Sequence, residues 1–182
     1  MANYRPLPHL SPVRRVITGH DNSGTANFDL DEKLTPVAVA ASADAPMGFT
    51  LIHRTTEFPV DNQGGSDEFG PENLQRSRFP RGIVCEVVDV PPAGTSQPHF
   101  HRNVSLDYGV IMEGTLDLIL DGGAKRTLHT GDVYVQRGTI HGWSNPGDKV
   151  CRFMTVIVPA QIVVVQSTGE ALGSTKLPGL TD

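Results

Sequence analysis

The stretch Gly94-Thr-Ser-Gln-Pro-His99-Phe-His101, together with Asp107 and His141 further along, decides the fold of this 182-residue chain. His99 and His101 are two residues apart, and in a β-strand this spacing directs both side chains to the same face. His141 follows a second strand-like run, so it would arrive from a different hairpin. The pattern predicts that three imidazoles and the carboxylate of Asp107 converge inside a small β-barrel. These donors suit a transition metal with positions left open for water or substrate.

Two motifs in this part of the sequence resemble those of the cupin superfamily, whose members are small double-stranded β-helix barrels of the jelly-roll type. The first motif usually contains a glycine, a His-x-His pair, a glutamate and a second glycine. The second usually contains glycine, proline, glycine, histidine and asparagine in that order. The matching residues are Gly94, His99, His101, Asp107 and Gly114 for the first motif, and Gly131, Gly138, His141 and Asn145 for the second.

Three positions depart from the usual motifs. Asp107 stands in place of the glutamate and follows His101 at a longer distance than usual. Gln136 stands where the second motif usually has proline, and the gap between Gly94 and His99 is short. Two roles are open for Asp107: it either binds the metal directly or accepts a hydrogen bond from a histidine N–H and so orients that ring.

The resemblance extends from about Val13 to Val158, and the segments Val13–Asp21 and Asp107-Tyr-Gly are similar to a common single-cupin subfamily of bacteria and fungi. It implies an all-β fold, a double-stranded β-helix with extra N-terminal strands, similar to cupins of small-molecule and polyketide pathways. In similar cupins the N-terminal strands pack on the outer sheet, often across a dimer, so the resemblance also implies a homodimer. The reaction type stays open, because one cupin site hosts many chemistries.

The length of the chain fits one domain with a substantial core, and the single His-x-His pair indicates one barrel. The long polar segment at 61–80 is either a lid over the barrel mouth or a disordered insertion. The expected division is an N-terminal arm at 1–12, a cupin domain at 13–165 with its motifs at 94–114 and 131–145, and a tail at 166–182.

The composition narrows the class of protein and its partners. Nineteen glycines and fourteen prolines favour short strands and many turns. A net charge of -5 without a basic run makes nucleic acid and anionic membranes poor partners. The longest apolar run, 153–165, is interrupted by Pro159 and Gln161, and the N-terminal residues lack an apolar signal core. We therefore expect a cytoplasmic protein, in which Cys85 and Cys151 are buried free thiols.

The expected cofactor is one divalent transition metal, bound by His99, His101, His141 and Asp107. Three imidazoles with water in the remaining positions favour zinc, copper or nickel. The addition of the Asp107 carboxylate shifts the preference toward iron or manganese.

Three further side chains are candidates for the substrate pocket. Gln97 lies two residues before His99, on the same face of the expected strand, where it would hydrogen-bond a substrate oxygen or a metal-bound water. Trp143 lies two residues after His141 and forms either an aromatic wall of the pocket or part of the ordinary core. Tyr134 is a candidate acid or base.

These observations together predict a metal-dependent cupin enzyme that acts on a small organic molecule, with an oxidoreductase or dioxygenase-type step in a small-molecule or secondary-metabolite pathway. One alternative is a non-redox cupin lyase or isomerase, which would catalyse a decarboxylation, dehydration or isomerisation. The other alternative is a non-catalytic cupin that only binds a small molecule.

Overall fold

The computed structural model of the chain describes residues 4–38, 46–62, 82–92 and 98–175. These ranges consist of β-strands joined by turns and contain no α-helix, so the all-β prediction is confirmed for them. The described strands are Arg5–Pro6 (β1), Val13–His20 (β2), Ala26–Leu34 (β3), Val37–Ala38 (β4), Gly48–Arg54 (β5), Val84–Val90 (β6), Ser105–Glu113 (β7), Thr115–Leu120 (β8), Lys125–His129 (β9), Val133–Arg137 (β10), His141–Ser144 (β11), Cys151–Pro159 (β12), Val163–Val164 (β13) and Ala171–Leu172 (β14).

Two antiparallel sheets frame the interior of the domain. The larger is seven-stranded with the order β1-β4-β5-β6-β12-β7-β10, and the smaller is three-stranded with the order β11-β8-β9. The main hydrophobic cluster draws on both sheets, so the core lies between them, as expected of a jelly-roll barrel. The cluster consists of Val88, Val90, Ile111, Leu116, Tyr134, Cys151 and Phe153.

Strands β7 and β10 pair with each other and place alternate side chains inside and outside the domain. In β10 the two valines, Val133 and Val135, are exposed, whereas Tyr134 and Gln136 are buried. The sequence predicted that these residues alternate between two faces. It did not predict which face is buried, because the more apolar residues are the ones that face outward. This orientation brings a polar amide into the domain interior.

Two motif glycines make the turns that bring the strands together. Gly114 joins β7 to β8 with a φ of 87°, and Gly138 follows β10 with a φ of 60°. An L side chain is strained in this left-handed region, so glycine is the residue that these turns require. The glycines of the two motifs therefore shape the backbone around the histidines.

The N-terminal strands are extra to the barrel, as the resemblance implies. Strands β4 and β5 extend the main sheet beyond β6, and β1 pairs with β4. Within the predicted arm, Leu7 and Leu10 are buried against Ala38 in a small apolar cluster. Strands β2 and β3 pair only with each other in the described sheets and form a separate hairpin.

Some sequence predictions concern residues that the structure does not describe. The predicted lid at 61–80 is described only at positions 61 and 62, and Gly94 and Gln97 lie in the undescribed stretch 93–97. The predicted tail is described as far as residue 175. In the part of the chain that is described, no helix is long and apolar enough to cross a membrane.

Candidate functional site

The two cupin-like motifs meet at His101 and His141. The backbone N–H of each residue donates to the carbonyl oxygen of the other, at 3.0 Å in both directions. The centroids of the two imidazole rings are 4.3 Å apart, with the ring planes tilted by 51°. The backbone bridge therefore fixes two potential metal-binding rings side by side.

His99 does not share this position, because the chain around it is not a regular strand. Residue 101 makes an isolated bridge, while residues 98–100 and 102–104 lie outside strands. The N–H of Arg102 donates to the hydroxyl of Thr175, and the carbonyl of Arg102 accepts from the N–H of Thr175. The backbone at residue 102 therefore bonds to the C-terminal segment and not to a neighbouring strand. The side chain of His99 is exposed, and its role as a ligand stays a prediction.

Asp107 lies inside β7 and points into the domain, where 6% of it is exposed. Its Oδ1 atom is buried without a hydrogen-bond partner among the described residues. Burial raises the pKa of the Asp107 carboxyl, and the nearby hydroxyl of Ser105 opposes part of that rise. A buried carboxylate oxygen without a donor is costly, so this position favours a protonated acid or a bound cation.

Gln136 lies opposite Asp107 in the β7–β10 register and is also buried. Its Nε2 atom is 2.6 Å from Nδ1 and 3.0 Å from Nε2 of His141, so the amide lies along the edge of that ring. Its Oε1 atom is buried and has no partner in the described ranges. Gln136 thus contacts His141 and lies on the strand next to Asp107.

The His141 ring is held in a form suited to metal binding. Nδ1 lies 3.1 Å from the backbone carbonyl of Thr139 and 2.6 Å from the Gln136 amide nitrogen. It donates to the carbonyl in one tautomer and accepts from the amide in the other. Burial lowers the pKa of His141, although the Thr139 carbonyl opposes this, so the neutral imidazole predominates at neutral pH.

Aromatic rings pack against the side of His141 that faces the core. The Trp143 ring contacts His141 edge-on, with centroids 5.7 Å apart, and lies 5.1 Å from Tyr134. Burial raises the pKa of Tyr134 strongly, so its hydroxyl stays protonated at neutral pH. Gly109 provides the space for the Tyr134 ring, because a Cβ there would lie 2.2 Å from a ring atom. Tyr134 belongs to the main hydrophobic cluster and Trp143 packs against it, so both residues line the site and pack the core.

The motif residue Asn145 has a structural role. It is 1% exposed, and its Nδ2 atom donates to the carbonyls of Val90 at 2.9 Å and Lys149 at 2.7 Å. Its Oδ1 atom accepts from the N–H of Gly147 at 2.9 Å. Asn145 therefore fixes the turn after β11 and ties it to β6.

The described site consists of two adjacent imidazoles, a buried carboxylate and an amide. Among the described residues, no three His, Cys, Asp or Glu side chains form a group that could hold a metal ion. The donor types nevertheless fit a transition metal, because His141 is neutral and Asp107 has a buried oxygen that lacks a donor. Sequence reasoning missed Gln136 and Thr139. Two features of the sequence could have indicated that Gln136 faces the site. It lies two residues after Tyr134, on the same face of the strand, and it occupies the motif position where proline is usual.

Comparisons with known proteins identify the family of this chain. The family model described as "Cupin domain" matches residues 86–157. Phomopsin biosynthesis cluster protein C' of Diaporthe leptostromiformis is 36% identical over 180 residues, which are 96% of this chain and 92% of that protein. The cupin-domain-containing oxidoreductase virC of Hypocrea virens is 34% identical over 164 residues, which are 88% of this chain and 82% of that protein.

A third relative and one solved structure complete the comparison. Oryzines biosynthesis cluster protein J of Aspergillus oryzae is 33% identical over 178 residues, which are 94% of this chain and 97% of that protein. A conserved protein with a double-stranded β-helix domain from Klebsiella pneumoniae aligns with a TM-score of 0.45 and 16% identity, over 67% of this chain and 84% of that one. The chain belongs to the cupin superfamily and is similar along most of its length to cupin-domain proteins of fungal biosynthesis clusters.

Proposed function

We propose that this chain is a metal-dependent cupin oxidoreductase that acts on a small organic molecule in a secondary-metabolite pathway. The observation that carries the proposal is the contact between the His101 and His141 rings, held by their mutual backbone hydrogen bonds inside the barrel. Relatives that match most of the chain are named cupin-domain oxidoreductases or biosynthesis cluster proteins, which supports the same class of activity.

His101, His141 and Asp107 would hold the metal, and His99 is the predicted third imidazole. The bound metal would supply Lewis-acid and redox chemistry at a substrate oxygen. His141 contributes a neutral ring whose orientation is fixed by the Thr139 carbonyl. Asp107 contributes a buried oxygen that receives no hydrogen bond from the described residues.

The aromatic side chains would exclude water and position the substrate. Trp143 and Tyr134 form a wall beside His141, and an unsaturated or aromatic substrate would pack against these rings. The Tyr134 hydroxyl, which stays protonated, would act as a hydrogen-bond donor to a substrate oxygen and not as a base at neutral pH. Gln97, the third pocket candidate, lies outside the described residues.

The proposal is tested by oxygen uptake. Protein from which metal has been removed is reloaded with Fe²⁺ without oxygen, and oxygen consumption is then measured with a panel of enols, diols and phenols. Uptake that depends on both protein and substrate, and that is lost in His141→Ala, is the expected result. The contrary result is metal-loaded protein that consumes no oxygen with any member of the panel but decarboxylates, dehydrates or isomerises one of them. The proposed activity would then be that of a non-redox lyase or isomerase.

A further inference from the structure

Arg54, at the end of β5, is directed into the barrel by an irregularity in its strand. Leu51 is buried together with Val84 of β6, which lies on the same face of β6 as Val88 of the main cluster. Strict alternation from Leu51 would place residue 54 on the outer face of the sheet. The β5–β6 register shifts between Leu51 and His53, so Arg54 pairs with Val84 and shares its inner face.

The extra residue that causes this shift is held in place by a buried arginine. Ile52 is the position that the β5–β6 pairing skips, and its carbonyl accepts a hydrogen bond from Nη1 of Arg15 at 3.0 Å. Arg15 is 7% exposed and also donates to Glu32 of the β2–β3 hairpin. Bulges occur frequently beside functional sites, where they redirect a side chain. Here the bulge is supported by a specific contact, and its consequence is the inward direction of Arg54.

The guanidinium of Arg54 has no hydrogen-bond or ion-pair partner among the described residues. Arg54 is half-buried, and its Nε atom is buried without a partner. Its neighbours along the inner face, Val84 and Ile157, are apolar and pack against each other. The ion pairs of the described ranges use other cations, which are Arg14, Arg15, Lys125 and Arg152. A guanidinium stays charged in proteins, so this position favours an anion from outside the chain.

Arg54 and Asp107 lie at the two ends of one row of residues on the inner face. The row crosses four neighbouring strands, from Arg54 through Val84 and Ile157 to Asp107. Neighbouring strands are about 4.8 Å apart, so the row spans roughly 14 Å along the sheet. The length of a small organic molecule, added to that of the arginine side chain, covers this span. One end of such a molecule would lie at Arg54 and the other at Asp107, beside the proposed metal-binding residues.

We propose that Arg54 binds an oxyanion, a carboxylate or a phosphate, at the end of the substrate that is remote from the reacting oxygen. This inference rests on the proposed function and deepens it, because it assigns the substrate to the organic acids or the phosphate esters. The planar guanidinium matches either group with two parallel hydrogen bonds. The apolar neighbours Val84 and Ile157 strengthen the contact, because they lower the local dielectric constant.

The test uses the single tryptophan of the chain, Trp143, whose ring contacts Tyr134 and His141 in the site. Its fluorescence is followed while the protein is titrated with a panel of hydroxylated aromatic acids, the methyl ester of each acid and the matching phosphate esters. These ligands share a ring and differ in the end group. Titrations with and without Mn²⁺ separate ligand binding from metal binding.

Two substitutions at Arg54 and one control isolate the contribution of the guanidinium. Arg54→Gln removes the charge, whereas Arg54→Lys keeps the charge and loses the planar fork. The control Arg14→Gln makes the same change of charge at an exposed position of the hairpin. Circular dichroism and thermal unfolding establish that each variant is folded.

We expect the wild type to bind one of the oxyanions at least about thirty-fold more tightly than the neutral ester, the size typical of a charge pair shielded from water. Arg54→Gln should abolish this preference without weakening the binding of the ester. Arg54→Lys should reduce the preference, and Arg14→Gln should leave it unchanged. Tighter binding of the acid assigns a carboxylate to the substrate, and tighter binding of the phosphate ester assigns a phosphate.

Three results would overturn the inference. A preference that persists in Arg54→Gln would mean that another group binds the oxyanion. An equal loss in Arg14→Gln would mean that the preference comes from the overall charge of the protein. A wild type that binds neither oxyanion more tightly than the ester would remove the site. All three leave the proposed metal centre intact, since metal content tests it separately. If Arg54→Gln does not fold, an unchanged preference in Arg54→Lys refutes the inference.

Discussion

His101 and His141 are joined by two backbone hydrogen bonds of 3.0 Å, and their rings lie 4.3 Å apart, although they are 40 positions apart in the sequence. The bridge couples the loop before β7 to the start of β11. Any change that loosens one backbone segment should therefore displace both imidazoles. This coupling makes the pair the centre of the proposed site.

The buried carboxylate of Asp107 should destabilise the metal-free protein. Burial raises its pKa in the folded state above the unfolded value of about 3.9, so the folded protein keeps this proton to a higher pH than the unfolded chain. The free energy of unfolding therefore falls as pH rises from the unfolded pKa through the folded pKa. We expect Asp107→Asn to stabilise the metal-free protein by about 1–3 kcal/mol at pH 8, and by less at pH 4. Urea unfolding in the presence of a chelator measures both values.

Asp117 is the matched control for this prediction, because it is a buried carboxylate that has partners. It accepts hydrogen bonds from Thr127 at 2.7 Å and from Lys125 at 2.9 Å. Burial opposes ionisation, but these two bonds hold the pKa of Asp117 below its usual value. Asp117→Asn should therefore destabilise the protein by about 1 kcal/mol. If Asp107→Asn were equally destabilising without metal, the absence of a donor at Oδ1 of Asp107 would be refuted.

Removal of one partner from the buried ion pair between Arg152 and Asp89 should strongly destabilise the protein. Nε and Nη2 of Arg152 donate to the two carboxylate oxygens of Asp89 at 2.7 and 2.9 Å, and Asp89 is 2% exposed. Nη2 also donates to the carbonyl of Ser11, so the pair ties the N-terminal segment to the main sheet. Arg152→Leu leaves a buried carboxylate unpaired and should cost about 3–5 kcal/mol. Arg152→Leu combined with Asp89→Asn should recover part of this loss in thermal or urea unfolding. A loss below 1 kcal/mol in the single variant would contradict the role of the pair.

The two cysteines should react slowly with thiol reagents in the folded protein. Both are free thiols, and Cys151 is buried in β12, whereas Cys85 is half-buried in β6. Burial, followed by the charges of Asp89 and Glu113, raises the pKa of Cys151 to about 11. The reactive thiolate is therefore scarce at pH 8. Mass spectrometry after iodoacetamide treatment should show slow labelling, with Cys85 labelled before Cys151, and rapid labelling of both in urea. Fast native labelling of Cys151 would show that β12 is not packed as described.

Strand positions and the second motif were largely predictable from the sequence, whereas the orientation of two site residues was not. Alternating residues marked β8, β10 and β12 to within a few positions. The chain after His101 is held by bonds between residues 102–104 and residues 174–175, contacts across 70 and 73 positions that no local pattern encodes. Gln136 faces inward because β10 exposes its valines, which reverses the usual rule for apolar residues.

The exposed apolar residues of the hairpin β2–β3 lead us to expect a homodimer, the state that the resemblance also implies. Phe28 is 77% exposed and Val16 is 44% exposed, on a hairpin whose strands pair only with each other among the described sheets. Arg15 ties the hairpin to β5 by donating to the carbonyl of Ile52 at 3.0 Å, but this contact leaves the two apolar side chains exposed, and exposed apolar patches commonly mark protein–protein contacts. Phe28→Ser should weaken the dimer by about 2 kcal/mol, or roughly thirtyfold, as measured by light scattering across a dilution series. Lys33→Ser, at an exposed polar position of β3, should have no effect, and a wild-type protein that is monomeric at high concentration would refute the expectation.

The most direct test of the central claim is the metal content per chain of wild-type protein and His141→Ala, measured by elemental analysis after reconstitution with Fe²⁺ or Mn²⁺ and removal of excess metal. A metal-dependent cupin centred on the His101–His141 pair predicts close to one ion per chain in the wild type and a small fraction of that in the variant, while both proteins unfold cooperatively. Wild-type protein without bound metal after reconstitution, or a variant that retains one ion per chain, would contradict the account.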